Sequence, residues 1–131
     1  MSARQFLESY GDILDRAGRL EREALLCRRY ARQQPDNPRW AARAEDLEGE
    51  LRKARRLGDT RKREIEEKIA CLENPAEALV LSMRYLGRYT YDEIAEVSTY
   101  SPRHIQRLHV QAVGRLEIFM DTGPCANGRC R

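Results

Sequence analysis

Three helix-start signals fall within residues 72–116, and their spacing leaves room only for short helices. Asn74-Pro75 closes one helix and opens another, because the residue before a proline is driven out of the α region while proline suits a first helical turn. The helix that begins there carries Ala78, Leu79, Leu81, Met83, Tyr85 and Leu86, enough apolar residues to bury more than one side. It is expected to stop at Gly87 in a left-handed cap. The next helix begins at Thr90, whose hydroxyl can accept the Glu93 amide while Glu93 reaches back, a capping box. Its buried face is Ile94, Ala95 and Val97. The last opens at Ser101-Pro102, an N-cap followed by proline at the first helical position, and its apolar residues Ile105, Leu108, Ala112, Val113 and Leu116 recur at helical spacing.

The opposite face of that last helix holds Arg103, His104, Arg107, Gln111 and Arg115, and residues 101–116 contain no Asp or Glu. The preceding helix carries Asp92, Glu93 and Glu96, so the basic character is confined to the last one. Arginine can bond bidentately to guanine and glutamine to adenine in the major groove, and the first turns of such a helix address base edges. The pattern predicts a recognition helix with Ser101, Arg103, His104, Arg107, Gln111 and Arg115 as its DNA-binding residues. The competing reading is the solvated side of an ordinary three-helix domain, which charge alone does not separate from the first. Thr90 and Tyr91 are expected as auxiliary phosphate contacts.

Three runs carry a family resemblance: Leu81-Ser82-Met83-Arg84-Tyr85-Leu86-Gly87, Thr90-Tyr91-Asp92-Glu93-Ile94-Ala95-Glu96, and Tyr100-Ser101-Pro102-Arg103-His104-Ile105-Gln106-Arg107-Leu108-His109, with Ala112 and Leu116 beyond. The segment resembles region 4 of bacterial sigma factors, and within that the phage-encoded regulators of the RinA/ArpU type. The resemblance covers about a third of the chain, while the helical N-terminal half matches in style only. It implies a C-terminal helix-turn-helix, double-stranded DNA and bacterial RNA polymerase as partners, and base reading by Arg103 and Arg107 with Gln106 near the backbone. Arg103 stands where sigma factors usually carry a glutamate, so a preference for the usual minus-35 element does not carry over. A sigma factor also needs a part that holds the polymerase clamp and melts the minus-10 element, for which 131 residues leave no room. The expected role is therefore a regulator, in the resembled type an activator of phage or prophage late genes. An adaptor that binds polymerase or a sigma factor without reading DNA is the alternative.

An enzyme is not expected. His104 and His109 are five residues apart, on different faces of one helix, and neither has an acid spaced to orient it. No nucleophile elbow, phosphate loop or metal-binding run occurs, so no cofactor and no metal are expected. Tyr85, Tyr89, Tyr91 and Tyr100 read as residues that close a small core, their oxygens left wet or lent to a phosphate. The four cysteines, Cys27, Cys71, Cys125 and Cys130, lack a metal-ligand rhythm and are expected as free thiols. With 34% charged residues and a mean hydropathy of −0.74, no membrane span fits, and residues 1–31 are charged throughout. The expected location is the cytoplasm of a bacterial host. A net charge of +3 is too small to argue nucleic-acid binding, so the position of the charge decides.

In the N-terminal half, Phe6, Ile13, Leu20 and Cys27 recur every seven residues, as do Tyr10, Ala17, Ala24 and Ala31, an a/d seam. Two prolines and an Asx cluster at residues 33–38 demand a turn. A second seam runs through Trp40, Ala44, Leu47, Leu51 and Ala54 and resumes at Ile65, Ile69 and Leu72, predicting one long helix with a weak point near Gly58-Asp59. The pair can close on itself as a hairpin or pair with a second copy as a dimerising coiled coil, and a homodimer is the favoured expectation. Arg52, Lys53, Arg55, Arg56, Arg61, Lys62 and Arg63 form a basic stretch opposed only by Asp59. Arg52, Arg56 and Arg63 are thus candidate phosphate contacts, against the bland alternative of helix charges paired with Glu48, Glu66 and Glu67.

The expected class is all-α, a long N-terminal helical hairpin or coiled coil followed by a three-helix helix-turn-helix domain. The expected divisions are residues 1–73, 74–120 and a disordered tail from 121 to 131. A fragment from Asn74 to Asp121 is expected to fold alone.

Overall fold

The computed structural model describes residues 1–121, which are all-α with no strand among them. The order is α1 (Ala3–Gln33), α2 (Pro38–Ile69), α3 (Pro75–Leu81) running into a π-helical segment (Ser82–Leu86), α4 (Tyr91–Val97) and α5 (Pro102–Asp121). Asp121, placed in the tail by the sequence, is the last residue of α5, and the remaining tail with Cys125 and Cys130 lies outside the described residues. Cys27 is a buried free thiol, whereas Cys71 is disulfide-bonded. That corrects the expectation of free thiols, since cysteine pairing does not follow from spacing alone.

Packing divides the described residues into two compact units, one Asp12–Thr60 and the other Met1–Gly11 with residues 61–121. The boundary expected at 73/74 is not where the contacts divide. In the first unit, α1 and α2 turn back at residues 34–37, where Asn37 Oδ1 accepts the Arg39 amide at 3.1 Å and the Tyr30 and Trp40 rings meet at 4.9 Å. Ala24, Cys27, Ala44 and Leu47 form its small core, with Leu20 and Trp40 against it. Most of the α2 seam is buried as its spacing predicts, whereas Ile13, Ala17 and Ala31 of the α1 seam are only half-buried. Arg28 grips Glu48 through two hydrogen bonds of 2.9 and 2.7 Å, which raises the guanidinium pKa and holds the carboxyl below the usual range. Arg55 pairs with Glu21 at 2.7 Å, so this member of the basic stretch is engaged within the hairpin. The helix α2 passes through Gly58 unbroken. A Cβ at Gly58 would lie 3.4 Å from Ile13 Cγ2, so the missing side chain lets the two helices approach closely.

The second unit gathers Ala3 and Leu7 from the start of α1 and Ile65, Ile69 and Leu72 from the end of α2 into one core with Leu81, Ala112 and Leu116. A capping box fixes the start of α1: the Gln5 amide donates to Ser2 Oγ at 3.1 Å, and the Ser2 amide to Gln5 Oε1 at 2.9 Å. The Ala3 amide donates to Glu117 Oε2 at 2.6 Å, placing an α5 carboxylate at the positive end of α1. Arg61 donates to Ser9 Oγ and lies 5.6 Å from the centre of the Phe6 ring. A second core, Val80, Ile94, Ile105 and Leu108, joins α3, α4 and α5. Val97, expected on the buried face of α4, is instead 68% exposed.

The three expected helix starts are present. The Ala76 amide donates to Asn74 Oδ1 at 2.9 Å, the Thr90–Glu93 capping box is complete, and the His104 amide donates to Ser101 Oγ at 3.2 Å. The helix end is different. Gly87 is right-handed with φ −83°, and the positive φ falls on Arg88, at 60°. The π-helical segment carries the chain past the α ladder, with the Gly87 amide donating to Ser82 O at 3.0 Å and the Tyr89 amide to Met83 O at 2.9 Å. Glycine is needed at 87 for a close approach, since a Cβ there would stand 3.0 Å from the Met83 carbonyl oxygen.

Behind α5 lies a polar network. His109, 3% exposed, has Tyr85 Oη 2.6 Å from Nε2 and Tyr91 Oη 3.2 Å from Nδ1. Burial, with Arg4 and Arg84 adding repulsion, pushes its pKa down from 6.5 to about 4. Burial likewise raises the Tyr85 pKa.

Two predictions follow from these cores. Leu7→Ala, 0% exposed, should cost about 2–5 kcal/mol and lower amide protection in α5, despite the distance in sequence. The Asn74–Asp121 fragment should be unstable, contrary to the sequence expectation, because it bares Leu81, Ala112 and Leu116. Unchanged α5 protection in Leu7→Ala, read by hydrogen exchange, would refute both. A separate prediction concerns pH. Because the folded pKa of His109 lies below the unfolded value, the unfolded chain binds the proton first. Its contribution is full above pH 6.5 and is lost as pH falls toward 4, a difference of about 3 kcal/mol. Urea unfolding at pH 7.5 and 4.5 should show a loss that His109→Gln lacks; equal losses in both proteins would exclude the histidine as its source.

Candidate nucleic-acid interface

The helix α5 has two faces of different chemistry. Ile105, Leu108, His109, Ala112 and Leu116 are buried on one, while Arg103, Gln106, Arg107, Val110, Gln111 and Gly114 are exposed. At about 100° per residue, Arg107 and Val110 lie within about 40° of Arg103 around the helix, roughly opposite Ala112. The Ser101 cap and Pro102 fix where the helix begins, and Ile105 and Leu108 anchor its first turns to Ile94 of α4 and Val80 of α3. The result is a rigid helix whose first turns present two guanidinium groups and two carboxamides outward. Such a surface can donate bidentately to base edges and phosphates.

The expected DNA-binding residues do not all share this placement. Arg103, Gln106, Arg107 and Gln111 lie on the exposed face, with Ser101 exposed at its start. His104 is half-buried, its ring edge-on to Tyr100 at 4.8 Å. Arg115 is directed to a buried acid: its Nε lies 3.1 Å from Oε1 of Glu77, which is 0% exposed. Neither carboxylate oxygen receives a well-directed hydrogen bond, so charge pairing with Arg115 is the compensation in place. Glu77 also occupies the first turn of α3, where the helix dipole favours a negative charge. Arg115 is therefore engaged in the fold before any ligand arrives.

The auxiliary residues separate in the same way. The Thr90 amide and hydroxyl hold the Glu93 carboxyl below the usual carboxylate range, so an anion sits at the start of α4. That charge opposes a phosphate beside Thr90. The Tyr91 hydroxyl faces His109, and the Arg84 guanidinium lies 4.6 Å from the centre of the Tyr91 ring while donating to Tyr89 O at 3.1 Å. Arg52, Arg56 and Arg63 are exposed on α2, the first two in the hairpin unit and Arg63 in the unit that contains α5. Sequence reading passed over Glu77, which the Asn74 cap places in a first turn but whose partner 38 residues on has no local signal. It also passed over Val110, although its spacing of three from Arg107 and seven from Arg103 puts it on their face.

Residues 74–117 match the family model described as Sigma-70, region 4. The match opens at the Asn74 cap of α3 and closes just after Leu116, the last buried residue of α5. No curated protein and no solved structure matches the chain. Residues 74–117 thus form a sigma region 4-like helix-turn-helix, similar to a segment that serves DNA binding in transcription regulation.

Proposed function

We propose that this chain is a sequence-specific DNA-binding transcription regulator that reads the major groove with the first turns of α5. The observation that carries the reading is the exposed, acid-free face bearing Arg103, Gln106, Arg107 and Gln111 on a capped and packed helix. Arginines on adjacent turns can each take a guanine, and Ser101 at the helix start can meet a phosphate. Arg115, whose charge is balanced by Glu77, adds little long-range attraction.

The finer role is a phage or prophage late-gene activator acting with host RNA polymerase. Its support is the likeness of the motif runs through Leu81, Thr90 and Ser101 to the phage-encoded regulators. A homodimer suits this role, because one short recognition helix makes few base contacts and two linked copies gain affinity and a defined half-site spacing. The location implied is the cytoplasm of the bacterial host.

Selection of the purified protein on random duplex libraries at near-physiological salt tests the reading. A motif should emerge, repeated in two half-sites. Arg103→Ala and Arg107→Ala should each weaken binding to it by about 1–3 kcal/mol and relax one base position. Only weak, salt-sensitive binding without a motif would replace this reading with that of a polymerase- or sigma-binding adaptor.

A further inference from the structure

We propose that Val110 is a specificity-determining residue that reads the 5-methyl group of a thymine, an inference that rests on the reading of α5 as a major-groove helix. Val110 is 63% exposed. It lies seven residues after Arg103 and three after Arg107, which sets it about 20° from Arg103 around the helix and about 10 Å further along its axis. An apolar side chain therefore stands on the line of the two arginines, displaced far enough to meet a different base pair. One turn later Gly114 has no side chain and nothing within 4 Å of a Cβ built there, so the next side chain near that line is Glu117, half-buried and bonded to the Ala3 amide. Glu117 stands about 21 Å along the helix from the Arg103 level.

The chemistry of the groove narrows the target to one group. Guanine, adenine and cytosine present only acceptors and donors there, while thymine adds a methyl carbon. The isopropyl group of Val110 makes no hydrogen bond, so against any other base it would desolvate a polar edge without replacing the lost water. Local structure offers no reason for the residue, since a β-branched side chain is a poorer helix former than alanine and its exposure leaves it outside both cores of this unit. The other strongly exposed valine, Val97, closes α4 and is not on the α5 face.

The test uses the full chain and the duplex motif it selects. Each thymine is replaced in turn by deoxyuridine, which removes the methyl group and keeps pairing and hydrogen-bonding edges unchanged. One position in each half-site should weaken wild-type binding about fourfold, the equivalent of one methyl-sized apolar contact. Val110→Ala should bind the thymine motif with a similar loss and be indifferent to deoxyuridine at that position. Val110→Thr, which keeps one methyl, should retain part of the discrimination. Thermal unfolding should show both variants folded, as expected for an exposed site. A selected motif with a flat deoxyuridine scan, or with the same loss in Val110→Ala, overturns the assignment and leaves base reading by the arginines intact. Failure to select any motif overturns both.

Discussion

The helix-turn-helix depends on apolar side chains that arrive from both ends of the long helices. Leu81, Ala112 and Leu116 alone are too small a set to exclude water from the back of α5. Ala3 and Leu7 supply one wall and Ile65, Ile69 and Leu72 another, so the first eleven residues and residues 61–121 fold as one body. The Glu117 contact to the Ala3 amide adds a directional element to this packing, since a carboxylate at a helix start is held by both the hydrogen bond and the dipole. The start of α1 is thereby fixed at a definite residue of α5.

Polar groups behind α5 make its orientation specific. A buried histidine between two tyrosine hydroxyls stays neutral and bonded at both ring nitrogens, and it tolerates little rotation or sliding of the helix. Glu77 imposes a harsher condition, because a buried carboxylate without Arg115 would be an uncompensated charge. Removing Arg115 would therefore damage the fold as well as any contact to DNA. Lost binding in such a variant does not identify a phosphate contact. Arg103 and Arg107, exposed and outside both cores, report on recognition with less ambiguity.

Legibility in the sequence followed the range of the interactions. The three caps at Asn74, Thr90 and Ser101 were readable because each is completed within three residues by groups whose identity shows in the sequence. The buried faces of α2 and α5 were readable from period alone. Leu7 was not, since the heptad count chose Phe6 and Tyr10, and most of the buried cluster that holds Leu7 lies more than 50 residues away. Separation in sequence, 24 and 18 residues for the tyrosines on His109 and further for the Glu77–Arg115 pair, concealed those contacts as well. Gly87 was marked as special for the wrong reason: the π-helical segment changes the phase of the helix, so glycine answers a close carbonyl and Arg88 takes the left-handed turn.

The placement of acids around α5 explains how a chain of net charge +3 can present a basic surface. Screening at physiological salt limits exposed charges to a range of about 8 Å, so the sum over 131 residues matters less than the acids near the exposed first turns of α5. The nearest acid after the basic run, Glu117, is bonded to the Ala3 amide, and Glu77 is buried against Arg115. Both negative charges are thus engaged within the unit. Asp92, Glu93 and Glu96 remain on α4, where the Thr90 cap keeps Glu93 ionised, so phosphate attraction is weakened on that helix. On the proposed reading, a regulator built this way would gain little from the phosphate backbone at large and would depend on base contacts from the first three turns of α5. Its selectivity would be carried by few residues, and each should count heavily.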